Sequence, residues 1–187
     1  MKYISIIALI LLLTNNIFSQ SNYEVLALSY ETEFGIKAGY NAIQMQIEND
    51  GNNRIQKEPG IYFGAFVNFP TSEIFSIQPE VLYSSSRYNI NDNISLIHIP
   101  VLIKFKLANS FTGSIGPEAQ ILLGIGEQDT SSFNQLMFGF NFGATYRLTP
   151  KFLLEARPYF ALNKLLKDGP GFSRKLNTLQ IGLAYEF

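Results

Sequence analysis

The chain has 187 residues and a formal net charge of −1, and only 16% of its residues are charged although 47% are hydrophobic. Soluble domains carry about 25% charged residues, so this deficit indicates that part of the surface does not face water. The near-zero charge gives no sign of a nucleic-acid partner. The absence of cysteine excludes disulfides, thiolate metal sites, catalytic thiols and a lipid-modified cysteine anchor.

The N-terminus has the layout of a secretory signal peptide. Lys2 provides a positive start, residues 4–13 form an apolar run, and Ser19 is a small residue at a suitable cleavage position. The run is shorter than the roughly 20 residues of a membrane-spanning helix, which makes an uncleaved anchor the weaker alternative. We therefore predict a signal peptide over residues 1–19 and one domain over residues 20–187, with the role of residues 21–33 left open.

Apolar and polar residues then alternate with a period of two, which predicts β-strands with two different faces. Phe138, Phe140 and Phe142 alternate, for example, with Gly139 and Asn141. The predicted strands are longer than the usual 5–6 residues and suit the roughly 9–11 residues of a tilted membrane strand. They cover residues 34–42, 61–69, 75–84, 97–107, 114–123, 136–147, 152–161 and 178–187.

The two faces of these strands differ in a way that is typical of membrane barrels. One face is bulky and almost wholly apolar, whereas the other is rich in glycine and carries polar and charged residues of both signs. Because a lipid-exposed sheet edge leaves its backbone groups unsatisfied, the sheet is expected to close on itself. The sequence thus predicts an all-β fold, an eight-stranded antiparallel up-and-down transmembrane β-barrel, apolar outside and polar inside.

The connections between predicted strands alternate between short and long. Short turns are expected around residues 70–73, 108–110 and 149–151, and long polar loops around 44–60, 85–94, 124–134 and 162–175. Outer-membrane barrels have short periplasmic turns and longer external loops, so both termini are expected on the periplasmic side. Any binding specificity is expected in residues 49–53 together with Arg54 and Lys57, and in residues 164–175, which include Gly169-Pro-Gly171.

Several stretches of the chain resemble the small outer-membrane β-barrel proteins often called PorT-like. The stretches are Phe34-Gly-Ile-Lys-Ala-Gly-Tyr-Asn41, Phe75-Ser-Ile-Gln-Pro-Glu-Val-Leu-Tyr-Ser-Ser85, Ile97-His-Ile-Pro-Val-Leu-Ile-Lys-Phe105, Gly116-Pro117, Leu154-Glu-Ala-Arg157 and Gln180-Ile-Gly-Leu-Ala-Tyr-Glu-Phe187. The resemblance implies a location in the bacterial outer membrane with lipid as a partner. It also implies that the barrel-assembly machinery reads the C-terminal strand ending at Phe187. It implies no single activity, since only a few members are tied to tasks such as protein secretion.

The predicted inner face carries charges that need partners, because an eight-stranded barrel is just wide enough for side chains to fill it and unpaired burial is costly. We expect a structural network centred on Glu80, Glu118, Glu155, Arg157 and Lys104 that plugs the lumen, and the alternative is a proton or solute path. The candidate network residues are Lys37, Glu80, Lys104, Glu118, Arg147, Glu155 and Arg157.

Catalysis has little support in the sequence. His98 is the only histidine, so a Ser/His/Asp arrangement would depend on it, with Ser95 or Asp92 as the partners within reach. We expect a hydrogen-bonded lumen histidine instead. A histidine-based zinc site is excluded by number and no clustered carboxylates suggest another metal, so neither a cofactor nor a metal is predicted.

Four prolines fall inside predicted strands, namely Pro79, Pro100, Pro117 and Pro158. A closed barrel has no edge strand to accommodate them, so we expect bulges or missing ladder hydrogen bonds at these positions.

The leading functional hypothesis is a non-enzymatic barrel whose external loops serve envelope integrity or surface interaction. The main alternative is a narrow channel or an accessory component of protein secretion across the outer membrane. A soluble lipocalin-like binder and a membrane enzyme that depends on His98 are the remaining alternatives.

Overall fold

The computed structural model describes residues 31–49, 52–87, 92–126, 133–165 and 172–187, apart from the side chains of 46–49, 52–56 and 172–174. The predicted signal peptide, residues 1–19, and most of the undecided segment 21–33 lie outside this part of the chain. Within it, no helix has the length and apolar character needed to cross a membrane.

Eight antiparallel strands form one closed barrel in which each strand pairs with its sequence neighbours and β1 pairs with β8. The fold predicted from the alternating pattern is therefore confirmed. The strands are β1 Glu33–Asn49, β2 Asn52–Pro70, β3 Phe75–Arg87, β4 Asn93–Ala108, β5 Phe111–Ile125, β6 Leu136–Arg147, β7 Phe152–Ala161 and β8 Phe172–Glu186.

The apolar face of the strands points outward around the whole barrel. Phe140 on β6 is 44% exposed, whereas the next residue, Asn141, is 1% exposed and lies in the lumen. The same alternation places Phe63, Val81 and Leu183 outside. In water such a band would leave a large apolar area uncovered, which monomeric soluble proteins rarely do, whereas a bilayer covers it.

Three short turns and both ends of the barrel-forming chain lie at one rim, which we call the periplasmic rim because outer-membrane barrels place their short turns there. The turns are closed by side chains that replace missing backbone partners. Ser72 Oγ accepts a hydrogen bond from the Phe75 backbone N–H at 2.9 Å. Thr149 Oγ1 does the same for Phe152 at 3.0 Å. At the C-terminus, the backbone N–H of Phe187 donates to the carbonyl of Phe34 at 3.0 Å.

The opposite, external rim differs from the sequence-based prediction. Residues 44–60 were expected to form a long loop, but the structure continues β1 to Asn49 and starts β2 at Asn52, in one register throughout. The strict alternation of short and long connections is therefore wrong for the first hairpin. A hairpin above the bilayer does not face lipid, so its outer face can be polar while its backbone ladder continues. The alternation of apolar and polar residues therefore ends before the strands do.

Each of the four strand prolines interrupts one ladder, as expected. Two successive residue pairs are missing beside Pro79 in β2–β3, Pro100 in β3–β4, Pro117 in β4–β5 and Pro158 in β6–β7. The register is the same on both sides of each gap, so these positions lack ladder bonds without forming bulges. Proline has no N–H to donate, and the flanking pairs hold the strands in place.

Candidate functional site in the barrel lumen

The middle of the lumen holds an ionic cluster of Lys37, Glu80, Glu155 and Arg157, contributed by β1, β3 and β7. Lys37 Nζ contacts Glu80 Oε1 at 2.9 Å and Glu155 Oε2 at 2.8 Å. Arg157 Nη1 donates to Glu80 Oε2 at 2.6 Å, and its Nε lies 3.5 Å from Glu155 Oε1. Two cations and two carboxylates thus compensate each other.

The cluster is completely enclosed, since all four of its residues are less than 5% exposed. Further neutral partners satisfy its outer atoms. Tyr62 donates its hydroxyl to Glu155 Oε1 at 3.1 Å, and Arg157 Nη2 donates to Gln180 Oε1 at 2.7 Å. Charges removed from water are tolerated when they are paired and hydrogen-bonded, and removing one partner of such a pair costs about 3–5 kcal/mol. Together with Tyr62 of β2 and Gln180 of β8, the cluster therefore connects five strands and fills this part of the barrel.

Two glycines make room for this filling. A Cβ at Gly143 would contact Ser114 Oγ and lie 3.1 Å from Arg157 Cγ, and a Cβ at Gly182 would collide with the Ala38 carbonyl and the Tyr62 hydroxyl. Glycine lets large polar side chains of neighbouring strands cross the lumen at these positions. The glycine-rich inner face seen in the sequence thus gives space to the long inward side chains.

A second hydrogen-bonded chain runs from Ser84 through His98 to Glu118. His98 Nε2 lies 2.7 Å from Ser84 Oγ, and its Nδ1 lies 2.8 Å from Glu118 Oε1. Glu118 also accepts from Asn141 Nδ2 at 2.6 Å and from Gln120 Nε2 at 2.7 Å. A hydrogen-bonded lumen histidine is therefore confirmed.

Ser95, one of the two residues that a catalytic His98 was expected to have within reach, faces the other side of β4. Ser95 Oγ lies 3.1 Å from the Tyr83 hydroxyl, and His98 points inward between β3 and β5. The connectivity of Ser84, His98 and Glu118 matches that of a hydrolase triad. All three side chains are nevertheless buried, with His98 0% exposed. A nucleophile needs its substrate within about 3 Å, and the enclosed Ser84 Oγ has no such access in this structure.

The remaining predicted network residues lie towards the periplasmic rim. Lys104 Nζ donates to Gln78 Oε1 at 2.9 Å, and Gln78 in turn donates to Glu80. Arg147 pairs with Glu186 at 2.7 Å, and its side chain is 38% exposed. The structure thus brings Glu80, Glu155 and Arg157 together with Lys37. It places Glu118 in the histidine chain and leaves Arg147 and Lys104 outside the central cluster.

The external part of the lumen is apolar, whereas the alternating pattern predicted a polar lumen. Inward side chains from five strands and two connections form one buried cluster, which we call the apolar cap. It consists of Ile43, Met45, Ile94, Leu96, Leu122, Ile125, Phe133, Met137, Leu165 and Leu176. A register shift between Ser95 and Leu96 in the β4–β5 ladder accompanies the inward placement of both Leu122 and Ile125. The available signal was the appearance of Ile43 and Met45 on the inner face of β1 after Asn41.

In the described part of the chain, no three His, Asp or Glu side chains come together as a group that could hold a metal ion. The chemistry available in the lumen is therefore that of buried ion pairs and hydrogen bonds. This arrangement can hold strands in register and block passage.

The sequence and the fold were compared with known proteins. The family model described as outer membrane protein beta-barrel domain matches residues 18–167. No curated protein matches the chain. Among solved structures, the chain is similar to Neisserial surface protein A, with a TM-score of 0.54 and 14% identity over 84% of this chain and 100% of that one. It is also similar to Ail, the attachment invasion locus protein of Yersinia pestis, with a TM-score of 0.52 and 13% identity over the same shares.

At these sequence identities the similarity to the two structures supports the fold alone, and the family assignment comes from the family-model match. That match spans well over half of the chain and includes strands β1 to β7. It agrees with a closed barrel that is apolar outside and filled with ion pairs inside. The chain belongs to the outer membrane protein β-barrel domain family.

Proposed function

We propose that this protein is a non-enzymatic outer-membrane barrel whose external β-sheet makes contacts at the cell surface. The observation that carries the proposal is the contrast between the two parts of the molecule. The lumen is blocked by the ionic cluster and the apolar cap. The β1–β2 and β1–β8 ladders instead continue past the level of Gly60↔Ser86, where the described β2–β3 ladder ends.

This external sheet consists of three strand segments, residues 42–49 of β1, 52–59 of β2 and 172–177 of β8. The β1–β2 ladder continues to the pair Asn49↔Asn52, and the β1–β8 ladder continues to Asn49↔Phe172. The β2–β3 ladder begins only at Gly60↔Ser86. At a rise of roughly 3.3 Å per residue, the sheet extends about 25 Å along β1.

The outer edge of this sheet is suited to protein contacts. The described part of the β2–β3 ladder begins at Gly60, so among the described residues no strand pairs with the other edge of β2 over residues 52–57. A free strand edge presents unpaired N–H and C=O groups, which an extended segment of another protein can join as an additional strand. Lys57 and Pro59 are exposed on this segment, and such residues limit unspecific edge pairing.

The experiment compares a deletion strain complemented with the full chain or with a shortened hairpin. The shortened hairpin lacks residues 46–55 and joins Met45 to Gln56 through an Asn-Gly turn. Because Met45 pairs with Gln56 in the full chain, this two-residue turn keeps the register of the remaining ladder. We expect the full chain to restore surface adhesion and the shortened chain to fail, while both show heat-modifiable gel migration. Equal restoration by the two chains would contradict the proposal.

The alternative is a narrow channel or an accessory component of protein secretion, and the PorT-like resemblance bears only on the secretion role. The apolar cap argues against conduction, since a constriction packed with buried apolar side chains offers ions no polar path. Planar-bilayer recordings of the purified protein are expected to give no unitary conductance. Comparing the secreted proteins of the deletion strain with those of the parent tests the secretion role, and a specific secretion defect would favour it over surface contact.

A further inference from the structure

The periplasmic rim contains a polar cavity of about 220 Å³ that is separate from the ionic cluster. Its walls come from the ends of six strands and from the short turns that join β2 to β3 and β4 to β5. The cationic groups that line it are Lys104, Lys106 and Arg147, and the neutral donors include Ser76, Asn109 and Thr112.

Lys104 is the buried cation of this cavity. It is 8% exposed, and among the described residues its Nζ makes one hydrogen bond, to the neutral Gln78 Oε1. No carboxylate among the described residues lies within 4.0 Å of it, in contrast to Lys37 and Arg157 deeper in the lumen. A buried ammonium with two donors to spare is costly unless an anion or other acceptors compensate it.

The neighbouring side chains place further donors around the same space. Lys106 is exposed and pairs in the ladder with Thr112, and both line the cavity. Arg147 uses Nη1 for its bonds to Glu186 and to the Pro150 carbonyl. Three cationic side chains together with hydroxyl and amide donors outnumber the acceptor sites of a carboxylate and suit the three or four oxygens of a phosphate group.

The cavity also offers acceptors. Glu33 and Glu73 line it, Asn68 Nδ2 donates to Glu33 at 2.7 Å, and the buried Asn68 Oδ1 has no partner among the described residues. A fully ionised anion would not use such an acceptor, whereas hydrogenphosphate, or a phosphate monoester in its monoanionic form, carries one hydroxyl that donates.

We propose that this cavity is a phosphate-binding site of the periplasmic rim, with Lys104 as its central ligand and Lys106 and Arg147 at its entrance. The phosphate group comes either from a soluble phosphate or phosphate monoester or from the headgroup of a phospholipid in the adjacent leaflet. The site does not depend on the external sheet, so the two proposals stand or fall separately.

The test uses the full-length protein and measures its thermal unfolding against ligand concentration. Inorganic phosphate is compared with chloride at equal ionic strength in a neutral detergent. Nanodiscs with phosphatidic acid are compared with nanodiscs of phosphatidylcholine alone. Specific binding to the folded state raises the unfolding temperature in a saturable manner. A rise with inorganic phosphate supports a soluble source, a rise with phosphatidic acid alone supports a headgroup, and no rise with either overturns the proposal.

Variants identify the ligand residue. Lys104→Met is expected to weaken phosphate binding about tenfold or more, because it removes a charge-assisted hydrogen bond. The matched control is Lys151→Met, which removes an exposed lysine of the same rim that does not line the cavity. Lys106→Gln is a second variant, in case Lys104→Met does not fold. Lys106 is exposed, so its replacement is expected to leave the fold intact and to weaken phosphate binding. Unchanged phosphate affinity in Lys106→Gln and in any folded Lys104→Met protein would contradict the assignment.

Discussion

Lys37 on β1 and Glu80 on β3 meet across the lumen at 2.9 Å, although 43 residues separate them and their strands are not neighbours in the barrel. Glu80 also holds Arg157 of β7 through its second oxygen at 2.6 Å. One carboxylate thus connects three strands from different sides of the wall. Such a contact stabilises closure of the barrel as a whole, in addition to the hydrogen bonds between adjacent strands.

Glu80→Gln is expected to destabilise the barrel strongly. The substitution keeps the size of the side chain but leaves Lys37 and Arg157 with Glu155 as their only carboxylate partner in the cluster. Removing one partner of a buried ion pair costs about 3–5 kcal/mol, because the other charge stays buried without it. We expect a loss of this size in the free energy of unfolding. Urea unfolding of the protein folded into lipid vesicles measures it.

The control for this change is Glu31→Gln, which alters an exposed carboxylate and is expected to change the free energy of unfolding by less than about 0.5 kcal/mol. Lys37→Met combined with Glu80→Gln is expected to lower the free energy of unfolding by less than the sum of the two single changes. The double variant removes both members of the Lys37–Glu80 pair and leaves Arg157 to pair with Glu155. Ion conductance in a Glu80→Ala barrel with unchanged stability would contradict the structural role of the cluster.

The apolar cap gives a second expectation. Leu96→Ala removes a side chain that is 0% exposed and is expected to cost about 2–5 kcal/mol, because packed side chains around it cannot close the cavity fully. Leu154→Ala is the matched control on the outer face, where lipid chains fill the space left behind. The same vesicle unfolding assay compares the two, and equal costs would contradict a packed cap.

The fold was predictable because the membrane imposes a single rule along each strand. Phe140 and Asn141 illustrate it: one must face lipid and the next must face the lumen, so their order in the sequence gives the orientation of β6. The same rule does not apply above the bilayer. There Ile43 and Met45 face inward and the strands continue through a polar hairpin, which is why the apolar cap and the length of β1 and β2 were missed.

The partners within the lumen were less predictable than its composition. The sequence identifies Glu80, Glu118, Glu155 and Arg157 as inward, but their partners depend on the register between different strands, adjacent or not. Lys37 reaches Glu155 over a separation of 118 residues, and His98 selects Glu118 because Pro100, two residues further along β4, pairs with it. Alternation within one strand contains no information on such pairings.

Replacing a strand proline is expected to stabilise the barrel slightly. Pro117 lies on the outer face beside the two missing pairs of the β4–β5 ladder, and the register is kept on both sides of the gap. Pro117→Val restores a backbone N–H that can complete this ladder, for a gain of about 0.5–1.5 kcal/mol in the free energy of unfolding. Ala119→Val on the same face and strand is the control for the larger side chain. A loss of stability specific to Pro117→Val would show that the proline ring itself is required.

Single-cysteine variants in this cysteine-free chain test the orientation of the barrel wall directly. Phe140→Cys is expected to react with a lipid-soluble maleimide in vesicles and to resist a charged one, because position 140 faces outward at the level of the apolar band. Asn141→Cys is expected to resist both reagents, since Asn141 is 1% exposed and donates to Glu118 inside the lumen. Lys57→Cys, exposed on the external sheet, is expected to react with the charged reagent on intact cells. Rapid labelling of Asn141→Cys by the charged maleimide would mean that water fills the lumen, and the packed interior would then be wrong.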